Sequence, residues 1–403
     1  MNTFPSQSYP VDALSANNPW GLSEAQAMIA EMVKEYANDV VAGRAKAIDA
    51  EQRFPTETFA DMSDMGLLGL VIPEAYGGSG ADYLSYCLVI EQLARVCAST
   101  ALGLAAHTSL VCLPITMFGS DAQKKAYLPR LASGESLGAY GLTEPNAGSD
   151  SGGTQTTAVK EGDAYVLNGS KIFITNANVA NIFIATARTS QAEADAKSTR
   201  GISAFIFERD TPGFSLGGKD EKLGMRGSDW GTLQFDGARI PADNLLGAPG
   251  EGFKYFMQTL DSGRISIGAL ALGIAQGAYE ASLKYAKERQ QFGKPIAEFQ
   301  AIQFMLADMA TDITAARHLV YHAARLRMSG APFGTQASMA KLFASEVAMR
   351  TTTNAVQIHG GYGYTKDFPV ERYFRDAKLC EIGEGTSEIQ RMVIARSVLK
   401  AFS

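Results

Sequence analysis

Residues 140–150 read YGLTEPNAGSD, and the chain divides at this stretch. The apolar run that leads into it, 137–142 (LGAYGL), has the composition of a short strand. Pro145, Asn146 and Gly148 end that strand and open a loop. Such a loop offers backbone N–H groups and the hydroxyls of Thr143 and Ser149 to a phosphate or to a flat polar group. Taken alone it also reads as a surface turn. Its neighbours have to decide, and they differ on its two sides: the apolar spacing is helical before it and alternating after it.

Upstream, from about 23 to 134, Ser23 followed three residues later by Gln26 predicts a capping-box start to a helix. The helix runs through AMIAEMVKEYANDVVAGRAKAID and breaks at Phe54-Pro55-Thr56. Residues 73–80 (PEAYGGSG) lack the preceding strand and following helix of a dinucleotide fingerprint, so they read as a connector. DYLSYCLVIEQLARVC predicts another helix. STALGLAAHTSLVCLPITMFG is apolar almost all round, which predicts a buried helix. Its small residues Ala101, Gly103, Ala105 and Ala106 leave space for close helix packing or for the wall of an apolar pocket.

Downstream, 155–176 (QTTAVKEGDAYVLNGSKIFITN) predicts two hairpins, around Glu161-Gly162-Asp163 and around Asn168-Gly169. NIFIATAR, GISAFIFER and WGTLQFDGARI extend a domain of short antiparallel strands, and 190–200 (SQAEADAKSTR) reads as an exposed loop. From about 251 the helical period returns. Residues 252–292 predict one or two helices, 301–328 and 335–361 one each, and 386–400 a last one with Thr386-Ser387 as cap material. The expected fold class is α+β. It has an arm at 1–21, a helical domain at 22–136, an antiparallel β domain at 137–250 and a four-helix-bundle-like domain at 251–403.

The 403 residues are 46% hydrophobic and 19% charged, with room for two or three domains. A net charge of −6 leaves no basic footprint for nucleic acid. Cys87, Cys97, Cys112 and Cys380 form no Cys-x-x-Cys pair and read as reduced core thiols. No run reaches about 18 uninterrupted apolar residues, so no transmembrane segment is expected. The first 20 residues carry no Lys or Arg and match neither a secretory nor a transit signal, which places the protein in the cytoplasm. His318 and His322 have a zinc-capable spacing but no third ligand nearby, so no metal is expected. Serine-hydrolase, Walker A and Rossmann patterns are absent from their required contexts.

A second unusual stretch is 380–391, CEIGEGTSEIQR. Glu384 lies between Gly383 and Gly385, just before a capped helix. Flanking glycines allow close backbone approach and leave the carboxylate unshielded. A Glu in a dry pocket has its pKa raised and becomes a general base near neutrality. An exposed Glu favouring a helix N-terminus is the competing reading.

YGLTEPNAGSD, SKIFITN, ERQQFGKPIAEFQAIQFMLADM, AVQIHGGYGYTKDFPVERYFRDAKL and IGEGTSEIQR, in that order, resemble the acyl-CoA dehydrogenase family from about residue 22 to 402. The resemblance implies FAD as cofactor. Tyr140–Ser149 match the flavin-binding strand and loop, where Leu142 and Thr143 would contact the ring and Ser149 the pyrophosphate and the acyl-CoA. Phe173 and Thr175 match positions covering the flavin face, Phe173 standing where many relatives carry Trp. Arg289, Gln300, Gln357, Gly360 and Gly361 match positions that hold FAD across a subunit interface. Thr386, Ser387 and Glu388 match the segment where the last helix meets the cofactor. Asp261 and Arg264, with Gly385, match the substrate side, the 261–264 segment (DSGR) as a loop meeting CoA. Glu384 matches the base. Some branches carry the base where this chain has Gly263, so Glu384 is the one carboxylate left for it.

The reaction implied by the resemblance is α,β-dehydrogenation of an acyl-CoA. Glu384 takes the α-proton, hydride passes to flavin, and electrons go to an electron-transfer flavoprotein. A homo-oligomer is implied, a tetramer by preference. Gly383, where relatives often have an aromatic, points to short-chain or branched or cyclic acyl groups. The lack of Arg and Lys in Ser99–Phe118 argues against a dicarboxylic substrate. The alternatives are an acyl-CoA oxidase, against which the chain length speaks because the family's oxidases carry an extra domain, and a catalytically silent flavin scaffold.

Overall fold

The computed structural model describes residues 18–190, 199–218 and 220–402. Most of the expected N-terminal arm and of the polar loop at 190–200 lies outside the described residues.

Capping chemistry sets the first helix start. Ser23 Oγ accepts from Gln26 N at 3.2 Å, and Gln26 Oε1 accepts from Ser23 N at 2.9 Å. The helices before the sheet are α1 (Glu24–Tyr36), α2 (Ala42–Glu51), α3 (Thr56–Asp64), α4 (Tyr83–Ala94), α5 (Ala98–His107), α6 (Leu113–Phe118) and α7 (Asp121–Ala132). A π-helical turn, Thr108–Cys112, joins α5 to α6. By length and composition alone the resulting Ala98–Phe118 helix is long and apolar enough to cross a membrane. Scattered polar residues break the run, yet the mean hydropathy of the helix stays high. Most of the helix is buried inside the protein, and polar groups of it are bonded there: Gly138 N donates to His107 Nδ1 at 3.1 Å, and Ser109 Oγ to Ala105 O at 2.7 Å. It is therefore a core helix.

The strands are β1 (Gly138–Gly141), β2 (Thr157–Glu161), β3 (Ala164–Thr175), β4 (Ile182–Arg188), β5 (Ile202–Glu208), β6 (Phe214–Leu216), β7 (Trp230–Pro241) and β8 (Leu245–Leu246). They pair in the order β6-β7-β3-β2-β4-β5-β8, with β1 also on β4. Two pairings differ from the all-antiparallel expectation: β1 runs parallel to β4, and β2 meets β4 in parallel at Thr157 and Arg188. Alternation in sequence reports the face of each side chain, not the direction of the neighbouring strand. The first predicted hairpin forms between β2 and β3. The second does not. β3 runs through Asn168-Gly169 with a bulge there, Gly169 at φ 139° and Asn168 Oδ1 accepting from Gly237 N at 2.8 Å.

The sheet's two faces carry separate cores. One holds Leu167, Phe183, Phe205, Phe207 and Leu233; the other holds Tyr140, Ile182, Ile184 and Ile206, with Val111 and Ile115 of the core helix, Leu128 of α7 and Phe256. Beyond the sheet come α8 (Gly252–Glu288), the small hairpin of β9 (Gln290–Gln291) and β10 (Lys294–Pro295), then α9 (Gln300–Met328), α10 (Gly334–His359), α11 (Val370–Ile382) and α12 (Ser387–Ala401). The 252–292 stretch is thus one helix of 37 residues plus the hairpin's first strand. At 1.5 Å per residue α8 is about 56 Å long, and it packs against α4, α9, α10 and α11. All four cysteines are buried and free. His318 lies against the Trp20 ring at 5.1 Å.

Candidate active site

α11 ends where Gly383 N donates to Leu379 O at 2.8 Å, and α12 begins where Thr386 Oγ1 accepts from Ile389 N at 3.3 Å. Between them the chain turns through Glu384 at φ 52° and Gly385 at φ 95°. A left-handed Glu costs of order 1–3 kcal/mol and persists only when its surroundings enforce it. Here Gln390 Nε2 donates to the Glu384 carbonyl at 3.1 Å and to the Gly385 carbonyl at 2.9 Å, and Lys341 Nζ donates to the Gly385 carbonyl at 2.7 Å.

This backbone turns the Glu384 carboxyl inward over α8. Its Oε2 is sealed from solvent and has no hydrogen-bond partner. The space it occupies exists because residue 263 is glycine: a Cβ there would lie 2.0 Å from Oε2. Burial pushes the carboxyl up to about 7, against the downward pull of Lys341 and Arg264. Arg264 is itself buried; its Nη1 donates to Asp261 Oδ1 at 2.6 Å and to Ser338 Oγ at 3.4 Å. Asp261 and Arg264 stand inside α8, not in the expected loop, because the buried face of α8 runs through this segment; within the helix their side chains pair at i,i+3.

The stretch at 140–150 follows β1. Tyr140 stacks on Phe256 with ring centroids 4.1 Å apart, and its buried hydroxyl has no partner. Leu142 and Thr143 are half-buried; Leu142 O accepts from Lys171 Nζ at 3.2 Å, and Thr143 O from Ile172 N at 2.8 Å. Glu144, the other carboxylate here, is fully engaged. It pairs with Lys171 at 2.6 Å and accepts from Gln155 N at 2.7 Å and Thr156 N at 3.1 Å. Burial alone would raise its pKa, but Lys171 and these donors hold it below the ordinary value. Ser149 is exposed at the loop end. Phe173 adopts φ 60°, exposes about half of its surface, and stacks on Trp230 at 4.9 Å. Thr175 is half-buried and pairs with Trp230 across the ladder.

Unpartnered buried polar atoms also sit at the start of α12, Ser387 Oγ and Gln390 Oε1, near exposed Glu388. An exposed aromatic face together with orphaned hydroxyls fits a large flat cofactor such as a flavin. Arg289, Gly360 and Gly361 line a separate open groove of about 530 Å³ with Tyr285, His359 and Tyr362. Gln300 and Gln357 are exposed and outside that lining.

Sequence reasoning missed Lys341, Lys171, Gln390 and Trp230. For Lys341 a signal existed. It falls at helical spacing from Ala337, Ala344 and Ser345, all buried, so it had to be an inward lysine. The small residues of α5 turn out to serve packing at Gly103, where a Cβ would meet the Phe59 ring at 2.9 Å and Asn176 Oδ1 at 3.3 Å.

Three family models match in chain order: acyl-CoA dehydrogenase, N-terminal domain, at 23–135; middle domain at 139–238; C-terminal domain at 250–399. A probable acyl-CoA dehydrogenase of Bacillus subtilis (strain 168) is 54% identical over 379 residues, 94% of this chain and 99% of the relative. A short-chain specific acyl-CoA dehydrogenase of Clostridium acetobutylicum is 49% identical over 381 residues, 94% and 100% of the two chains. Among solved structures, a chain described under "Electron transferring flavoprotein of Acidaminococcus fermentans" matches with TM-score 0.92 and 49% identity, over 94% of this chain and 99% of that one. A prolyl acyl carrier protein oxidase matches at TM-score 0.89 and 32% identity with 99% of its chain covered, so chain length does not separate dehydrogenase from oxidase on this fold.

Proposed function

The chain belongs to the acyl-CoA dehydrogenase family, a family of FAD-dependent oxidoreductases, and from that premise we propose the reaction and the residues that carry it out. The reaction is the α,β-dehydrogenation of a short-chain or branched or cyclic acyl-CoA thioester to the 2-enoyl-CoA. The observation that carries this reading is the Glu384 carboxyl, with its Oε2 buried, unpartnered and seated over Gly263. With a pKa near 7 it is a base of suitable strength for a proton that a thioester carbonyl has acidified. Its backbone N–H is the proposed contact for the developing enolate oxygen. FAD, when bound, supplies the acceptor for the β-hydrogen as hydride.

Tyr140, Leu142, Thr143, Ser149, Phe173 and Thr175, with Thr386, Ser387 and Glu388, are the proposed flavin contacts within one chain. Arg289, Gln300, Gln357, Gly360 and Gly361 are proposed to reach the cofactor of a second copy in a homotetramer. Ser149, Asp261, Arg264 and Gly385 are assigned to the acyl-CoA. Gly383 supports a bulky or branched acyl group: a Cβ there would meet only Leu379, at 3.4 Å or more. His107, the one histidine on the Ala98–Phe118 helix, is buried with its pKa lowered to about 4, so that helix offers no charge to a dicarboxylic chain. Electrons are assigned to an electron-transfer flavoprotein and the location to the cytoplasm.

The test is anaerobic titration of the FAD-loaded protein with a panel of acyl-CoAs, following flavin bleaching. Bleaching by short or branched chains supports the reading, and highest kcat/KM for long straight chains overturns the substrate class. Similarity to an oxidase matched over 99% of its own chain favours one second reading, reaction with oxygen. Fast peroxide formation on admitting air to the bleached enzyme would establish it.

A further inference from the structure

Lys341 has none of its surface exposed, and its Nζ reaches from α10 to the Gly385 carbonyl at 2.7 Å. Gln390 Nε2, from α12, meets the same carbonyl at 2.9 Å. Two helices therefore converge on one oxygen in the turn that carries Glu384. Behind the lysine, Ser345 Oγ lies 2.6 Å from Lys341 O and 2.8 Å from Cys380 O, its one hydroxyl hydrogen shared between these two carbonyls, which links α10 to the end of α11.

A buried ammonium is costly unless its charge is balanced. Among the described residues Lys341 makes no salt bridge; its hydrogen-bond partner is a neutral carbonyl. Its charge is felt instead through space. From α11 and the turn it faces Cys380, Glu381 and Glu384, and from α8 it faces Arg264. Around Glu384 stand Lys341 from α10, Arg264 with its partner Asp261 from α8, the hydroxyls of Tyr83 and Tyr86 from α4, and that of Tyr140 from β1. Arg327 of α9 lies over the Tyr83 ring at 3.8 Å. Of the two cations that favour an ionised Glu384, Arg264 is already bonded to Asp261 at 2.6 Å.

Resting on the assignment of Glu384 as the base, we propose that Lys341 is its positioning residue. Its ammonium clamps the Gly385 carbonyl, which holds Glu384 in the left-handed backbone with its carboxyl over Gly263, and its charge offsets the burial of that carboxylate. Burial lowers Lys341 only to about 8, so it remains charged over the range in which Glu384, at about 7, ionises.

The experiment is the pH profile of kcat/KM for the FAD-loaded enzyme with butyryl-CoA, for wild type, Lys341→Gln and Lys341→Met. Gln keeps a donor for the Gly385 carbonyl but removes the charge; Met removes both. The acid limb should move to higher pH by about one unit in both variants. kcat should fall more than KM rises, and Tm should fall more in Met than in Gln. If Met does not fold, Gln carries the test. An acid limb at its wild-type position in Lys341→Gln overturns the inference. Glu384→Gln is the control: if it keeps turnover, the base assignment itself fails, whereas an inactive Glu384→Gln with an unmoved limb in Lys341→Gln removes only the role of Lys341.

Discussion

Glu144 and Glu384 are both carboxylates withdrawn from water, and they end in opposite states. Glu144 is met by an ammonium and two backbone N–H groups, and its pKa falls. Glu384 has an oxygen with no partner, and its pKa rises. Burial works in the same direction on both; the adjacent Lys171 charge, together with the hydrogen bonds, decides the outcome for Glu144. A satisfied carboxylate braces the loop at 140–150. An unsatisfied one is left with a lone pair free to take a proton. The difference separates a structural acid from a reactive one, although the sequence sets both among glycines, turns and small residues.

The comparison can be broken most severely at Glu384. Glu384→Gln should lower kcat by about 10²–10⁴-fold, the usual worth of a positioned general base, while absorbance still shows bound FAD. Gly263→Ala adds no charge but pushes the carboxyl aside, and a displacement near 1 Å can cost about 100-fold in rate. Steady-state kinetics beside the flavin content separates that loss from lost cofactor. On the structural side, Lys171→Met strands Glu144, and breaking a buried pair destabilises by about 3–5 kcal/mol. Thermal unfolding should show a markedly lower Tm together with poorer FAD retention. A Tm unchanged from wild type would mean that Glu144 is not held as described.

The smallest effect is the pH dependence of stability. The folded pKa of Glu384 lies above its ordinary value, so ionising it opposes folding. That penalty is fully present above about pH 7 and disappears as pH falls toward the ordinary carboxylate range. Glu384→Gln should therefore have a higher Tm than wild type at pH 8, and the two Tm values should converge near pH 4.

Much of this was legible in the chain. The capping box at Ser23 and the helical period after 251 took the form expected, because each is a local pattern with one physical solution, and the apolar runs of β4 and β5 became strands, although both are buried on the two faces of the sheet rather than on one. What escaped is non-local. β1 lies parallel to β4 because of where the helical layer delivers it, which no periodicity encodes. Asn168-Gly169 has the composition of a turn, yet β7 pairs along both sides of it, and a bulge absorbs the glycine. Asp261 and Arg264 read as a loop because Asp-Ser-Gly is turn-like, but the apolar face of α8 overrides that local preference. Glu384 was visible through its flanking glycines, whereas Lys341, 43 residues earlier, carries no motif and becomes meaningful only once α10 is folded against the turn.

The Phe173–Trp230 stack gives the protein a built-in optical reporter. The chain has two tryptophans. Trp20 packs with His318 and Tyr321, while Trp230 backs the exposed ring of Phe173. A flavin settling on that ring would take up the excitation of Trp230 and dim its emission. Trp230→Phe would leave Trp20 as the background signal. Cofactor arrival could then be timed in the unlabelled enzyme, before any substrate is added.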